Sequence, residues 1–388
     1  MSKYKKGLVL LLALSLLLSV FTTLPTTAEE ITLPPSISAQ SAVLIEGGSG
    51  DTVYSKNADM PLPMASTTKI MTALVAAELA PLSTPITVDV AAVGVEGSSV
   101  YLTAGEVLSL EQLLYALMLE SANDAAVAIA IGLCGSVEQF AVQMNHKAQA
   151  LGLQHTHFVN PHGLDDENHY TTARELAKIA QALLQNTELR AIVSTRKTTI
   201  PHAESEGGRL LVNHNKMLRL YEGCAGVKTG FTKKSGRCLV SAAERDGVLM
   251  IAVTLNAPDD WNDHTAMLDY GFTQYRSVTL CEKEEYRISI AAVGGAETEV
   301  TVCNPDALRI VLPASHEPIT QTVEIARFVY APIANGEILG KVVFRCDADR
   351  DGSLEVVGEA ALIACSAVEK QVVKKSFWQW LCALFGVK

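Results

Sequence analysis

No Gly-rich phosphate loop, no His-Glu-x-x-His and no Cys-x-x-Cys pair occurs in these 388 residues. Nothing local therefore builds a nucleotide cradle or a structural zinc site. Positive charge is scarce: 31 Lys and Arg stand against 42 Asp and Glu, a formal net charge of −11. Such a chain has no electrostatic reason to bind DNA or RNA. The apolar stretch Leu8–Val20 is shorter than the roughly 20 residues a membrane-spanning helix needs. Lys3, Lys5 and Lys6 precede it and the small residues Thr26-Thr27-Ala28 follow, so residues 1–28 read as a signal peptide and the remainder as exported; a retained N-terminal anchor is the other reading. Eight cysteines are scattered without a tight framework. An exported chain permits disulfides, but pairing is not readable from spacing, and buried small hydrophobes is the plain reading for most of them.

The length accommodates two ordinary domains, and 48% hydrophobic against 19% charged residues is globular. Ser41–Glu46 and Thr52–Tyr54 are short strands around Gly47-Gly48-Ser49-Gly50. A helix follows Pro63, with apolar Met64, Ile70, Met71, Leu74, Val75 and Leu79. Ser109…Gln112, Ser136…Gln139 and Thr172…Glu175 are capping boxes that open further helices, and Asp124 is the expected cap of an Ala-rich helix to Leu133. Ala225–Thr229, Arg237–Ala243 and Val248–Leu255 are β-prone runs of an antiparallel meander, closed by a helix over 262–273. A sheet drawn from both ends with a helical insert is α+β, here expected over residues 29–276. Alternating runs between Gly, Pro and Asp predict a small β-sandwich over 277–367. Over 368–388, Val373, Phe377, Trp380, Leu381 and Leu384 recur at helical spacing beside Lys370, Lys374 and Lys375. That predicts an amphipathic helix lying on a membrane surface, with docking on the protein's own surface as the alternative.

Three polar elements interrupt the apolar pattern. In Ser66-Thr67-Thr68-Lys69, positions i and i+3 share a helix face, so Lys69 can act as base for the Ser66 hydroxyl. The same spacing at Ser2…Lys5 and Ser194…Lys197 lacks the amphipathic helix, and 194–199 is polar without helical period. A lysine base needs burial and a neighbouring cation, for which Lys228 is the candidate. Ser121-Ala122-Asn123 breaks two apolar helices; it suits a proton relay and an amide contact, or merely a helix cap. Lys228-Thr229-Gly230 sits on a strand and offers a cation and a hydroxyl to a carboxylate, with Gly230 allowing close backbone approach.

Ser-x-x-Lys, Ser-x-Asn and Lys-Thr-Gly in this order resemble the serine penicillin-recognising signature. The chain resembles the D-alanyl-D-alanine carboxypeptidases among the low-molecular-mass penicillin-binding proteins. The likeness extends to residues 63–72, to Asn160-Pro161-His162-Gly163-Leu164 with His169-Tyr170-Thr171-Thr172-Ala173, and to Gly226–Thr232. It implies a β-lactamase/transpeptidase-like domain in which Ser66 attacks the carbonyl between two D-alanines of a peptidoglycan stem peptide and Lys69 takes its proton. Ser121 would hand a proton to the leaving D-alanine, Asn123 would hold the peptide, and Lys228 and Thr229 would meet its carboxylate. The N–H groups of Ser66 and Phe231 would form the oxyanion hole. The resemblance further implies trapping by β-lactams and no metal or organic cofactor. Family members often carry an arginine beyond the Lys-Thr-Gly strand; Asn256-Ala257-Pro258-Asp259-Asp260 fills that region, so no arginine is assigned. A class A β-lactamase would need Glu-x-x-Leu-Asn between Asn123 and Lys228, which is missing. A non-catalytic penicillin sensor is the rival from another class.

Overall fold

The structure, a computed structural model, describes residues 33–202, 205–348 and 352–372. The expected leader (1–28) and residues 373–388 of the expected terminal amphipathic segment lie outside them.

Strands β1 (Ser41–Glu46) and β2 (Thr52–Lys56) form a hairpin. A 3-10 turn (Ala65–Thr68) runs into helix α1 (Lys69–Leu79). Short strands β3 (Pro85–Thr87) and β4 (Val107–Ser109) pair antiparallel. A helical insert follows: α2 (Leu110–Leu119), α3 (Asn123–Cys134), α4 (Val137–Ala150), α5 (Ala173–Gln185) and α6 (Thr187–Ser194). Next come a hairpin of β5 (Lys197–His202) and β6 (Ser205–Val212), and a single turn α7 (Met217–Leu220). The meander β7 (Cys224–Thr232), β8 (Gly236–Arg245) and β9 (Val248–Leu255) then leads into α8 (Asp260–Gln274).

The first hairpin and the meander form one antiparallel sheet in the order β2-β1-β9-β8-β7. Its inner strands β1, β9 and β8 carry long apolar runs because both faces are buried. Val43, Ile45, Val240, Ala242, Ile251 and Val253 face the helical insert. Their alternating neighbours Ala42, Leu44, Leu239, Ala243, Met250 and Ala252 pack against Met267 and Leu268 of α8. The fold is thus α+β, with helices on both sides of an antiparallel sheet. β7, an edge of that sheet, lies beside the 3-10 turn that carries Ser66.

The capping boxes form unevenly. Ser109 Oγ accepts from the Gln112 amide at 3.2 Å and Gln112 Oε1 from the Ser109 amide at 2.9 Å, a reciprocal pair. Thr172 caps α5, but the Glu175 carboxylate turns away to the amides of Gln154 and His155. Asp124 does not cap α3, contrary to expectation. The helix begins at Asn123, and the buried carboxylate binds another segment instead. The polar residues 194–199, read as lacking a helical period, run from the end of α6 into a hairpin strand, β5, that is largely solvent-facing.

After α8 the chain forms a second β unit: β10 (Tyr275–Cys281), β11 (Arg287–Val293), β12 (Glu299–Cys303), β13 (Leu308–Pro313), β14 (Thr320–Ile325), β15 (Phe328–Tyr330), β16 (Ile338–Cys346) and β17 (Glu355–Ala364). A β10–β13 pair and a six-stranded sheet, β14-β16-β17-β12-β11-β15, enclose Ile290, Val300, Val302, Val342, Phe344 and Leu362. Within β10, Tyr275 packs on the α8 side of the first sheet while Leu280 and Cys281 enter the second core.

Candidate active site

Ser66 lies in the 3-10 turn, entered through Ala65 at φ +47°, a left-handed backbone uncommon for a residue with a Cβ. Thr67 Oγ1 and Thr68 Oγ1 tie the turn to Met64 O at 2.6 Å and Ala65 O at 2.7 Å. Gly163 comes from the Asn160–Leu164 loop and packs on the same turn; a Cβ there would stand 1.9 Å from Ala65 O. Gly230 of β7 closes the other side. A Cβ on it would lie 3.0 Å from Ser66 N, so its bareness serves approach by the nucleophile turn itself.

Lys69 is wholly buried, and its Nζ donates to Ser66 Oγ at 3.0 Å, Asn123 Oδ1 at 2.7 Å and His162 O at 2.6 Å. Asn123 presents Oδ1 because its Nδ2 donates to Glu96 O at 2.5 Å, beside Gly97, where a Cβ would come within 2.7 Å of that nitrogen. Burial holds the Lys69 pKa well below the usual lysine value; the nearby Lys228 cation lowers it further, and Asp124 opposes. Lys228, 1% exposed on β7, is pushed down to about 7 by burial, with Glu120 opposing. Burial, aided by the Lys69 cation, takes the His162 ring down to about 3, and its Nδ1 accepts from the Leu164 amide at 3.2 Å.

A cleft of about 380 Å³ opens in front of the turn, lined by Ser66, Ser121, Thr229, Gly230 and Phe231. Ser121 also has a left-handed backbone, φ +60°, at the break between α2 and α3. Strain of this kind costs about 1–3 kcal/mol and persists where surrounding structure imposes it. All eight residues singled out from the sequence therefore meet at one place: Ser66, Ser121, Thr229, Gly230 and Phe231 on the surface, and Lys69, Asn123 and Lys228 beneath or beside it.

The cleft also contains residues that sequence reasoning missed: Ser98, His214, Lys216, Arg237, Asp260 and Trp261. Arg237 is the cross-strand partner of Phe231, and its Nη2 meets Asp260 Oδ2 at 2.9 Å. Its guanidinium lies 5.6 Å from the Trp261 ring centre, while Lys216 Nζ lies 5.9 Å from the same ring. An arginine is thus present in the cleft, and it comes from β8, the strand that follows Lys228-Thr229-Gly230, rather than from residues 256–260. The Ser98 carbonyl accepts from the Asn123 amide at 2.7 Å, and the Asp124 carboxylate holds the residues that follow, accepting from Ser99 Oγ at 2.6 Å and the Leu102 amide at 3.0 Å. Among the described residues no group of three or more His, Cys, Asp or Glu is placed to hold a metal ion.

A hydroxyl bonded to a buried amine, with a second buried amine beside it, is the arrangement that an activated serine nucleophile needs. The family model for D-alanyl-D-alanine carboxypeptidase, peptidase S11, matches residues 28–259, and the chain belongs to that family. It is 31% identical over 356 residues to the D-alanyl-D-alanine carboxypeptidase DacF of Bacillus subtilis, covering 88% of this chain and 90% of that protein. It is 29% identical to DacC of Escherichia coli over the full length of both. Penicillin binding protein 5 from Haemophilus influenzae has a similar structure, with a TM-score of 0.63 at 27% identity over 87% of this chain and 100% of that one. These similarities do not favour a β-lactamase or a non-catalytic sensor.

Proposed function

We propose that this carboxypeptidase removes the terminal D-alanine of peptidoglycan stem peptides through an acyl-enzyme on Ser66. The carrying observation is the 3.0 Å bond between Ser66 Oγ and the buried Lys69 amine. Neutral Lys69 accepts the hydroxyl proton as Ser66 attacks the carbonyl between two D-alanines. The N–H groups of Ser66 and Phe231 stabilise the oxyanion. Ser121 passes a proton to the departing amine, and Asn123 contacts the peptide while holding Lys69. Thr229 and the Lys228 charge receive the terminal carboxylate, joined by the Arg237 guanidinium, which lines the same cleft as Thr229. Water then releases the shortened peptide. A β-lactam enters as a mimic of the scissile amide and stalls at the acyl stage. Release of D-alanine from diacetyl-Lys-D-Ala-D-Ala tests the assignment: wild type releases it and Ser66→Ala does not. Undiminished release by Ser66→Ala refutes it.

The same reading places the enzyme outside the cytoplasmic membrane, exported by residues 1–28 and held to the membrane surface through 368–388. Lys370, Lys374 and Lys375 with Phe377, Trp378 and Trp380 support this from composition. Among the described residues no single helix is long and apolar enough to cross a membrane. Deleting 370–388 is expected to release the protein from membranes; continued sedimentation with them refutes the attachment.

A further inference from the structure

Seven of the eight cysteines lie in the described residues, all as free thiols. Most are occupied singly. Cys224 Sγ donates to Gly226 O at 3.3 Å and Cys346 Sγ to Glu317 O at 2.9 Å. Cys238 is buried beneath the nucleophile turn, 3.9 Å from Pro63 O, and Cys281 sits 3.6 Å from the Asn304 amide. Cys303 and Cys365 differ, because their sulfurs lie 2.8 Å from each other.

Strand register explains the meeting. In the antiparallel β12–β17 ladder, Val302 pairs with Ala364 and Cys303 with Ile363. One step beyond the end of β17, the Cys365 amide still donates to Thr301 O at 2.8 Å. Side chains alternate along a strand, so Cys365 falls on the face shared by Thr301 and Cys303, diagonal to the latter. The two thiols thus converge where the last strand of the sheet ends and the chain turns toward residues 366–372.

We propose that Cys303 and Cys365 are a disulfide-forming site that fastens the end of β17 to β12. The proposal rests on the reading that the protein is exported, since the oxidant must come from that compartment. The oxidant is a disulfide of a thiol–disulfide oxidoreductase or of glutathione. Cys365, the more exposed partner, attacks as thiolate and expels one thiol of the oxidant. Cys303 then loses its proton and attacks the Cys365 sulfur, expelling the second thiol. Two thiols are oxidised to one disulfide, and the oxidant leaves as two thiols carrying both protons. In the reduced pair the hydrogen bond with Cys365, with burial, pushes the Cys303 thiol up to about 11, so Cys303 is not the thiol that opens the exchange.

The bond would join positions 62 residues apart and enclose β13 to β17, most of the second unit. It lies just before the bridges Ile333–Val368 and Gly295–Lys370, which tie down the chain near the end of the described residues. A membrane tether pulling on that segment would load the staple rather than peel β17 from the sheet.

The test uses the full chain purified without reductant, incubated with oxidised glutathione, alkylated in denaturant and digested for mass spectrometry. A peptide linking Cys303 to Cys365 is expected, lost on reduction. The unfolding temperature of the second unit should fall on the order of 10 °C with reductant in wild type and be insensitive to reductant in Cys365→Ser. Recovery of both cysteines fully alkylated after glutathione treatment overturns the proposal, whether or not the variant folds. Cell fractionation tests export separately: a linkage formed in vitro in a protein found only in the cytoplasm would retire the export reading and leave the site standing.

Discussion

Replacing Lys228 by glutamine isolates what the second buried cation does for the first. Burial alone lowers the Lys69 pKa, and the Lys228 charge adds to it. Two like charges within roughly 6 Å at an effective dielectric of about 20 repel by about 3 kcal/mol. Burial pushes Lys228 itself down to about 7, so its charge, and with it the repulsion, is greatest on the acid side of that value. The sign follows: without that repulsion Lys69 holds its proton to higher pH, and less neutral base is present at any pH on the acid side. Acylation of Lys228→Gln at pH 7 should therefore fall by about ten- to a hundredfold, and the acid limb of its pH profile should move upward. Lys228→Arg, which keeps a charge, should leave the limb at or below its wild-type position. Stopped-flow acylation by a fluorescent penicillin between pH 5 and 10 reads both. An acid limb that Lys228→Gln leaves unmoved would refute the coupling, whatever happens to the maximal rate.

Three further outcomes are expected. Gly163→Ala puts a Cβ into the Ala65 carbonyl at a φ of +92°, so it should cost about 2 kcal/mol or more in stability and lower acylation at least tenfold, measured by denaturant melts and penicillin labelling. Arg209→Leu leaves the buried Glu106 carboxylate without its 2.9 Å partner and should destabilise by about 3–5 kcal/mol; chemical denaturation checks it, and a loss under 1 kcal/mol would contradict the pair's burial. Arg237→Leu should raise KM about tenfold for a peptide ending in a free carboxylate, but not for the same peptide ending in an amide, in D-alanine or D-alaninamide release assays.

The parts of the site that sequence made legible are those whose geometry is local. Ser66 and Lys69 are one helical step apart, Lys228-Thr229-Gly230 is a single strand segment, and Ser121 and Asn123 mark a break between two apolar helices. The sheet and the sandwich were legible for the same reason, since alternation and turn residues are short-range signals. Arg237 was not, because its role depends on the β7–β8 register that sets it opposite Phe231 and on Asp260 arriving from α8. Asp124 misled as a cap: its carboxylate was claimed by residues 99–102, more than twenty positions earlier. His214, Lys216 and Trp261 carry no motif, and only the folded chain brings them to the cleft. The β5–β6 hairpin was overlooked because its strands are largely solvent-facing and its sequence lacks a strong apolar period.

The three acceptors around Lys69 have unequal abilities. Asn123 Oδ1 and the His162 carbonyl can only receive hydrogen, whereas the Ser66 hydroxyl can also give one. An ammonium group fills all three positions as donor; a free amine has two hydrogens and one lone pair. Loss of the Lys69 proton therefore leaves its lone pair facing Ser66, and the hydroxyl hydrogen turns toward the nitrogen. Discharging the base and aiming the nucleophile's proton at it become a single event, enforced by two oxygens that take no part in the chemistry.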